Sequence, residues 1–399
     1  GTWDGGQPGK GPDLIQMVVI DGTHTFTPHL LLDGDVGFTR LRVGAQASDL
    51  ALGDYGTKVL GIPGTNYNGQ YLYGGIPAFT FVSYAGLGNT TASNPFLFRD
   101  NQYAGNLNLS YTRGQHGFRF GGEYIHAATN HFQPQQGSPR GTFNFNGSVA
   151  SASGTSGNNF TSFAEFLLGD PQSISKGVQS TNPIALRWSS YAFYAQDTWQ
   201  LGTKLTVNYG TRYEYFTIPV HDHNGPFEYL PQVPTTVTDS FGTHTVGTVF
   251  IGGTGNTPAS AFISNGRGMF VPRVGIDYRT DNKTVIRTGY GISVDPQNLL
   301  NARNTYPAQI ALSQSGANSY VPTTNFTTGI PSITIPNLST GEVPLPQNIS
   351  TYVFPLNFRR GYIESWNLAV ERVLPASFVA DVAYVGTHAV RQIVNLNIN

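Results

Sequence analysis

Residues 204–215 read Lys204-Leu205-Thr206-Val207-Asn208-Tyr209-Gly210-Thr211-Arg212-Tyr213-Glu214-Tyr215. Successive side chains on an extended strand point to opposite faces. Leu205, Val207, Tyr209, Thr211, Tyr213 and Tyr215 therefore share one face, and Thr206, Asn208, Gly210, Arg212 and Glu214 the other. The same period of two recurs along the chain. Phe118, Phe120 and Tyr124 oppose Arg119, Gly121 and Glu123. Phe270, Val274, Ile276 and Tyr278 oppose Arg273, Gly275 and Asp277. Ile286, Tyr290 and Ile292 oppose Arg287, Gly289 and Gly291. Trp366, Leu368 and Val370 oppose Ser365, Asn367 and Glu371, and Phe378, Val382 and Tyr384 oppose Asp381 and Ala383.

The pattern predicts ten strands, at 15–26, 31–43, 102–112, 117–126, 188–199, 204–215, 270–279, 284–293, 362–373 and 377–387. A globular strand is usually about 5–6 residues long. These run from 10 to 13, close to the roughly 9–11 residues that carry a tilted strand across a bilayer. Turns of three or four residues (27–30, 113–116, 200–203, 280–283, 374–376) alternate strictly with connections of more than 50 (44–101, 127–187, 216–269, 294–361). Strict alternation of short and long connections is the habit of outer-membrane barrels, with tight periplasmic turns and long external loops.

Composition agrees. Of 399 residues only 11% are charged, against about 25% in an ordinary soluble domain. Apolar residues, at 39%, do not replace them; 48 Gly, the small polar residues and 13% aromatics do. A net charge of −1 gives no electrostatic reason to bind nucleic acid. The absence of Cys excludes disulfides, thiolate nucleophiles and Cys-ligated metal centres. Scattered Gly and Pro disfavour a helix bundle, and no apolar run approaches the ~18 residues of a membrane helix. The fold class is therefore all-β: an antiparallel transmembrane β-barrel, here a partial one, with about ten long strands arranged as five hairpins.

Charged groups on one strand face would be costly in a packed apolar core. Arg119, Glu123, Arg212, Glu214, Arg273, Asp277 and Arg287 are accordingly expected to line a wet lumen. Phe118, Phe120, Tyr209, Tyr213, Tyr278, Trp366 and Tyr384 are expected to face lipid, with Tyr and Trp near the headgroups. Glycines on the polar face would let another domain approach the wall closely.

No constellation supports catalysis, and no cofactor is expected. His221-Asp222-His223, with Glu228 and His244 nearest to it in sequence, could supply two metal ligands but reads as a solvated loop. Asp33 and Asp35 read as lumen carboxylates rather than a calcium site. Asp281-Asn282-Lys283 reads as a tight turn. Phe160, Phe163, Phe166 and Leu167 have the spacing of a short amphipathic helix. Loop aromatics such as Tyr67, Tyr71, Tyr73, Phe79 and Tyr84 suit either ligand binding or loop packing.

Several stretches resemble the barrel of Oar-like TonB-dependent transporters. They are His24-Thr25-Phe26-Thr27-Pro28 through Phe38-Thr39-Arg40; Arg113-Gly114-Gln115-His116-Gly117-Phe118-Arg119-Phe120-Gly121-Gly122-Glu123-Tyr124; and Phe163-Ala164-Glu165-Phe166-Leu167-Leu168-Gly169-Asp170-Pro171. The strongest is Tyr191-Ala192-Phe193-Tyr194-Ala195-Gln196-Asp197-Thr198-Trp199 followed by 205–215. Pro272-Arg273-Val274-Gly275 and the stretch from Ser365-Trp366-Asn367-Leu368 to Tyr384-Val385-Gly386 complete the series, which covers most of the chain in order. The resemblance implies a cell outer-membrane location and contact with membrane lipid and lipopolysaccharide. It also implies a carboxypeptidase-regulatory-like domain, a plug domain coupled to the TonB energy complex, and a barrel of about 22 strands.

Neither the regulatory-like domain nor a plug is legible within 1–399. With periplasmic short turns, Gly1 and Asn399 both fall on the external side, and Asn395-Leu396-Asn397-Ile398-Asn399 lacks an aromatic ending. The chain is thus expected to be an internal segment of one barrel domain. The expected function is transport of an unidentified substrate, bound by the loops and passed through a plugged lumen. The alternative is a non-membrane surface protein, an adhesin or fibre subunit, that self-associates through exposed strand edges.

Overall fold

The computed structural model describes residues 9–90, 94–134, 138–152, 155–222, 227–239, 242–296, 303–304, 306–346, 351 and 354–394. All ten expected strands are present. They are β1 (Leu14–Thr27), β2 (Leu30–Ala47), β3 (Phe96–Arg113), β4 (His116–Phe132), β5 (Ile184–Leu201), β6 (Leu205–Phe216), β7 (Met269–Asp281), β8 (Thr284–Val294), β9 (Tyr362–Val373) and β10 (Val379–Val390). Each pairs antiparallel with the next, giving an up-and-down meander in chain order. Among the described residues the sheet is open. The outer edges of β1 and β10 carry no strand.

The strands meet at short turns. Lys283 N donates to Asp281 Oδ1 at 2.7 Å in the turn between β7 and β8, as expected of an Asp-initiated turn. At the other end β2, β3, β4 and β5 run beyond their expected limits, to Ala47, Phe96, Phe132 and Ile184.

The long connections carry secondary structure of their own. Residues Ala78–Phe81, Thr142–Phe145, Ser173–Gln179 and Gln309–Ser315 form a four-stranded sheet, with 78–81 and 142–145 parallel. Phe227–Asp239, Gly242–Ile251 and Glu342–Pro344 form a three-stranded one. Both large buried clusters lie here. One gathers Ile76, Phe79, Phe143, Phe145, Ile174 and Ile330; the other joins Tyr73, Val178, Val249 and Ile310 to Phe132, Ile184 and Leu186 at the long-loop ends of β4 and β5. Tyr73 and Phe79 are thus core residues, whereas Tyr71 and Tyr84 stay exposed.

The expected loop helix spans Asn159–Leu168. Asn158 Oδ1 caps it by accepting from Phe160 N at 2.9 Å and Thr161 N at 3.0 Å. Gly169 ends it at φ 77°, where an added Cβ would also lie 2.9 Å from the Phe326 ring. Phe166 packs edge-on to Phe79, Phe81 and Phe145, at 5.2 to 5.6 Å between ring centres.

Among the described residues the sheet of ten long strands has no second layer over its aromatic rows. Phe193 is 61% exposed, Phe270 68%, Val382 74% and Tyr384 63%. Water-soluble folds rarely leave such a contiguous apolar surface bare.

Candidate functional site

Directly paired residues across antiparallel strands share a face, so the register sorts every wall side chain. Arg119, Glu123, Arg212, Glu214, Arg273, Asp277 and Arg287 all fall on one face. That face carries a side-chain network running across strands. Asp35 accepts from Asn106 Nδ2 at 2.5 Å, and Asp33 from Asn108 Nδ2 at 2.8 Å. Arg119 lies 3.6 Å from Asp33, and the Tyr194 hydroxyl donates to Asn108 at 2.7 Å. Arg212 bridges Glu123 at 3.1 Å and Glu214 at 2.7 Å. Thr198 donates to Asn208, which donates to Asp277. Arg287 joins Asp277 at 3.5 Å to Glu371 at 2.6 Å.

Six of the seven expected polar residues are thus paired. Arg273 is the exception: it makes no ion pair among the described residues and faces a hollow of about 620 Å³ floored by Gly275 and Gly289. At these two glycines the face is open: an added Cβ would meet nothing closer than 3.5 Å. At Gly121 it is not. An added Cβ there would lie 2.4 Å from the Tyr194 ring, so the tyrosine already fills that gap. Asn208 and Glu371 join the network from the polar-face positions already read, and Asn106, Asn108 and Tyr194 are additions to it. The alternation in Asn106-Leu107-Asn108-Leu109 is the signal for the two asparagines.

The seven expected apolar residues share the opposite face. Phe120, Tyr209, Tyr278, Trp366 and Tyr384 are exposed; Phe118 and Tyr213 are half-buried by neighbouring rings, Phe118 by His116 at 5.4 Å and Tyr213 by Phe270 at 5.1 Å. The rings form two bands. Tyr111, Phe118, Trp199 and Tyr278 lie towards the short turns, and Tyr103, Tyr124, Tyr191, Tyr215 and Phe270 towards the long loops. Asp197 shares this face unexpectedly. It is 4% exposed, and its Oδ2 lies 2.7 Å from His116 Nδ1 and 2.9 Å from the Tyr209 hydroxyl. Its odd-numbered place among Tyr191, Phe193 and Trp199 put it in phase with the aromatics.

The remaining candidates are structural. His221 Nε2 accepts from Ala185 N at 3.0 Å, and Asp222 pairs with Arg187 at 3.0 Å. His223, the Glu228 side chain, Gly1 and 395–399 lie outside the described residues. Among the described residues no three His, Asp or Glu side chains converge as a metal site, and no helix is long and apolar enough to cross a membrane. In the loop layer, Lys176 Nζ donates to the carbonyls of Gly64 and Asn66. Burial pulls its pKa down to about 8 against the opposing charge of Asp54. Arg140, also buried, donates to the Asn94 carbonyl at 2.8 Å.

A sheet with one bare apolar face and one ion-paired face is a membrane wall, and the family comparison agrees. The outer membrane beta barrel domain model matches residues 1–399. The chain belongs to that family. Its place is the bacterial outer membrane. No curated protein matches. Among solved structures, the barrel resembles the ferric-catecholate import receptor Fiu from K12 E. coli in its closed form (11% identity, TM-score 0.44, covering 97% of this chain and 42% of that one). It also resembles the FrpB iron transporter from Neisseria meningitidis, F5-1 variant (12%, 0.40, 94% and 36%). A third is the ferric yersiniabactin uptake receptor FyuA from Yersinia pestis (9%, 0.37, 95% and 37%). The barrel chain spans less than half the length of each.

Proposed function

We propose that this chain is part of the wall of an Oar-like, TonB-dependent transporter. The folded long-loop layer faces outwards and meets the substrate. The ion-paired face, with Arg119, Glu123, Arg212, Glu214, Arg273, Asp277 and Arg287, lines the lumen and docks a plug domain. That plug is moved by the TonB energy complex of the inner membrane. The aromatic face, with Phe118, Phe120, Tyr209, Tyr213, Tyr278, Trp366 and Tyr384, meets lipid and lipopolysaccharide. The observation that carries this reading is the segregation of charge and aromatics onto opposite faces of a single sheet, with the aromatic face uncovered.

Charge reversal of the lumen and truncation at the lipid face test it together. Arg212→Glu, placed between Glu123 and Glu214, is expected to alter permeation or plug docking while leaving bilayer insertion near normal. Tyr209→Ala is expected to weaken insertion. Equal effects of both on insertion, with none on permeation, contradict the face assignment.

A second reading draws on the outer edges of β1 and β10, 14 and 12 residues long, which pair with no strand among the described residues. Such edges invite pairing with other copies, as in a surface fibre. A fibre subunit stays dispersed or assembles without detergent, whereas a barrel wall needs detergent to remain in solution.

A further inference from the structure

At the long-loop ends of β6 to β9 the connections 217–268 and 295–361 are stitched together. Ser264 N donates to the Leu356 carbonyl at 2.5 Å, and Ser264 bridges to Asn357. Beneath this seam Ile218, Ile263 and Phe358 form a small buried cluster. Above it opens a hollow of about 650 Å³ into which four arginines converge: Arg267, Arg359, Arg360 and Arg391.

Arg360 is the fixed member. Its Nη2 donates to the carbonyls of Phe216 and Thr217, each at 3.3 Å, and its guanidinium lies over the Phe216 ring at 5.0 Å and the Phe358 ring at 5.5 Å. Arg391 lies over the Tyr362 ring at 6.0 Å. Arg267 and Arg359 are exposed and make no ion pair among the described residues. The one carboxylate lining the hollow, Glu214, is held by Arg212 at 2.7 Å; Asp295 acts on Arg360 from outside the lining.

The chain has 22 Lys and Arg among 399 residues and a net charge of −1. Arg267 and Arg359, exposed and with no ion pair among the described residues, leave positive charge at a hollow whose one lining carboxylate is already engaged. A guanidinium presents a planar fork that matches carboxylate and phosphate oxygens two at a time. The volume falls within the ~300–1,000 Å³ of small-molecule sites. We propose that this hollow binds a small, multiply charged oxyanion, a phosphate or polycarboxylate group. Arg267 and Arg359 supply the adjustable donors, Arg360 the fixed positive wall, and Arg391, also exposed, further positive charge. Two sources offer that chemistry at this end of a barrel: a soluble anion, or the phosphates of lipid A in the outer leaflet. The second source rests on the barrel reading, because it requires the long loops to face outwards.

The test uses the full chain in detergent micelles. It is titrated calorimetrically with citrate and with pyrophosphate, and separately with vesicles containing lipid A or its dephosphorylated form. At least one probe is expected to bind, more weakly as salt rises. The double variant R267Q/R359Q is expected to lose at least tenfold in affinity while keeping its circular dichroism. R279Q, near the short turns, serves as the control and keeps full affinity. Should the double variant misfold, R267Q alone removes no ion pair among the described residues and is expected to lose at least threefold. Binding of the soluble anions assigns the first source. Binding of phosphorylated lipid A alone assigns the second. No binding by any probe, or undiminished binding by a folded variant, overturns the proposal. Micelle binding does not depend on bilayer insertion, so its failure is distinguishable from failure of the barrel reading.

Discussion

Asp197 shows what the aromatic face requires of a polar group. Its carboxylate is buried beside rings, where an unpaired charge is costly, and its Oδ2 is satisfied by His116 and the Tyr209 hydroxyl. Asp197→Ala leaves both partners without their acceptor. Thermal unfolding in detergent is expected to show a loss of about 1–3 kcal/mol, whereas the same substitution at exposed Asp381 is expected to be near neutral. Glu165 is the counterpart in the loop layer. Fully buried on its helix, it accepts from the backbone N–H of Gly147 at 2.8 Å, Val149 at 2.5 Å and Ala150 at 3.3 Å. Glu165→Ala orphans three donors at once, so hydrogen exchange over 147–168 is expected to accelerate while β4 to β6 remain protected. Lys176 adds a pH signature. Its folded pKa of about 8 lies below the ordinary 10.5. Between those values the unfolded chain holds a proton that the folded layer does not, so loop-layer stability rises with pH across that window. Lys176→Met is expected to abolish the rise, read as local unfolding against pH.

The hairpins were legible because period-two alternation is a local property: Tyr209 and Arg212 take opposite faces whatever surrounds them. The turn at Asp281 was legible for the same reason. The polar-face charges were legible as a face, and so was Arg212 beside Glu214 on one strand, but the partners on other strands were not, because Arg212 meets Glu123 only through the register of β4, β5 and β6. The four-stranded sheet of the loop layer was illegible: its strands pair over long sequence separations, 78–81 with 142–145 and 173–179 with 309–315, and no local alternation announces that. The helix of the layer was legible through the phenylalanine spacing, but the partners of Phe166 were not. Gly121 carries a prediction for β4. Gly121→Val would drive Cβ into the Tyr194 ring and break its 2.7 Å hydrogen bond to Asn108. The Tyr194 environment is expected to change, with a stability loss of about 1–3 kcal/mol. Gly22, with nothing within 4 Å of an added Cβ, is the matched control.

Taken whole, the molecule reverses the usual arrangement: its buried clusters lie in the connections, while the largest sheet leaves its aromatic side bare. That arrangement is stable only if hydrocarbon covers the bare side. The chain has no Cys, so single cysteines can be placed one at a time from Leu205 to Tyr215, spin-labelled and reconstituted in bilayers. Collision with oxygen, which concentrates in lipid, is expected to peak at 205, 207, 209, 211, 213 and 215. Collision with a water-soluble nickel chelate is expected to peak at 206, 208, 210, 212 and 214. Two oscillations of period two in opposite phase are the predicted result; equal access of the nickel chelate to both sets, or oxygen excluded from the aromatic set, would contradict it.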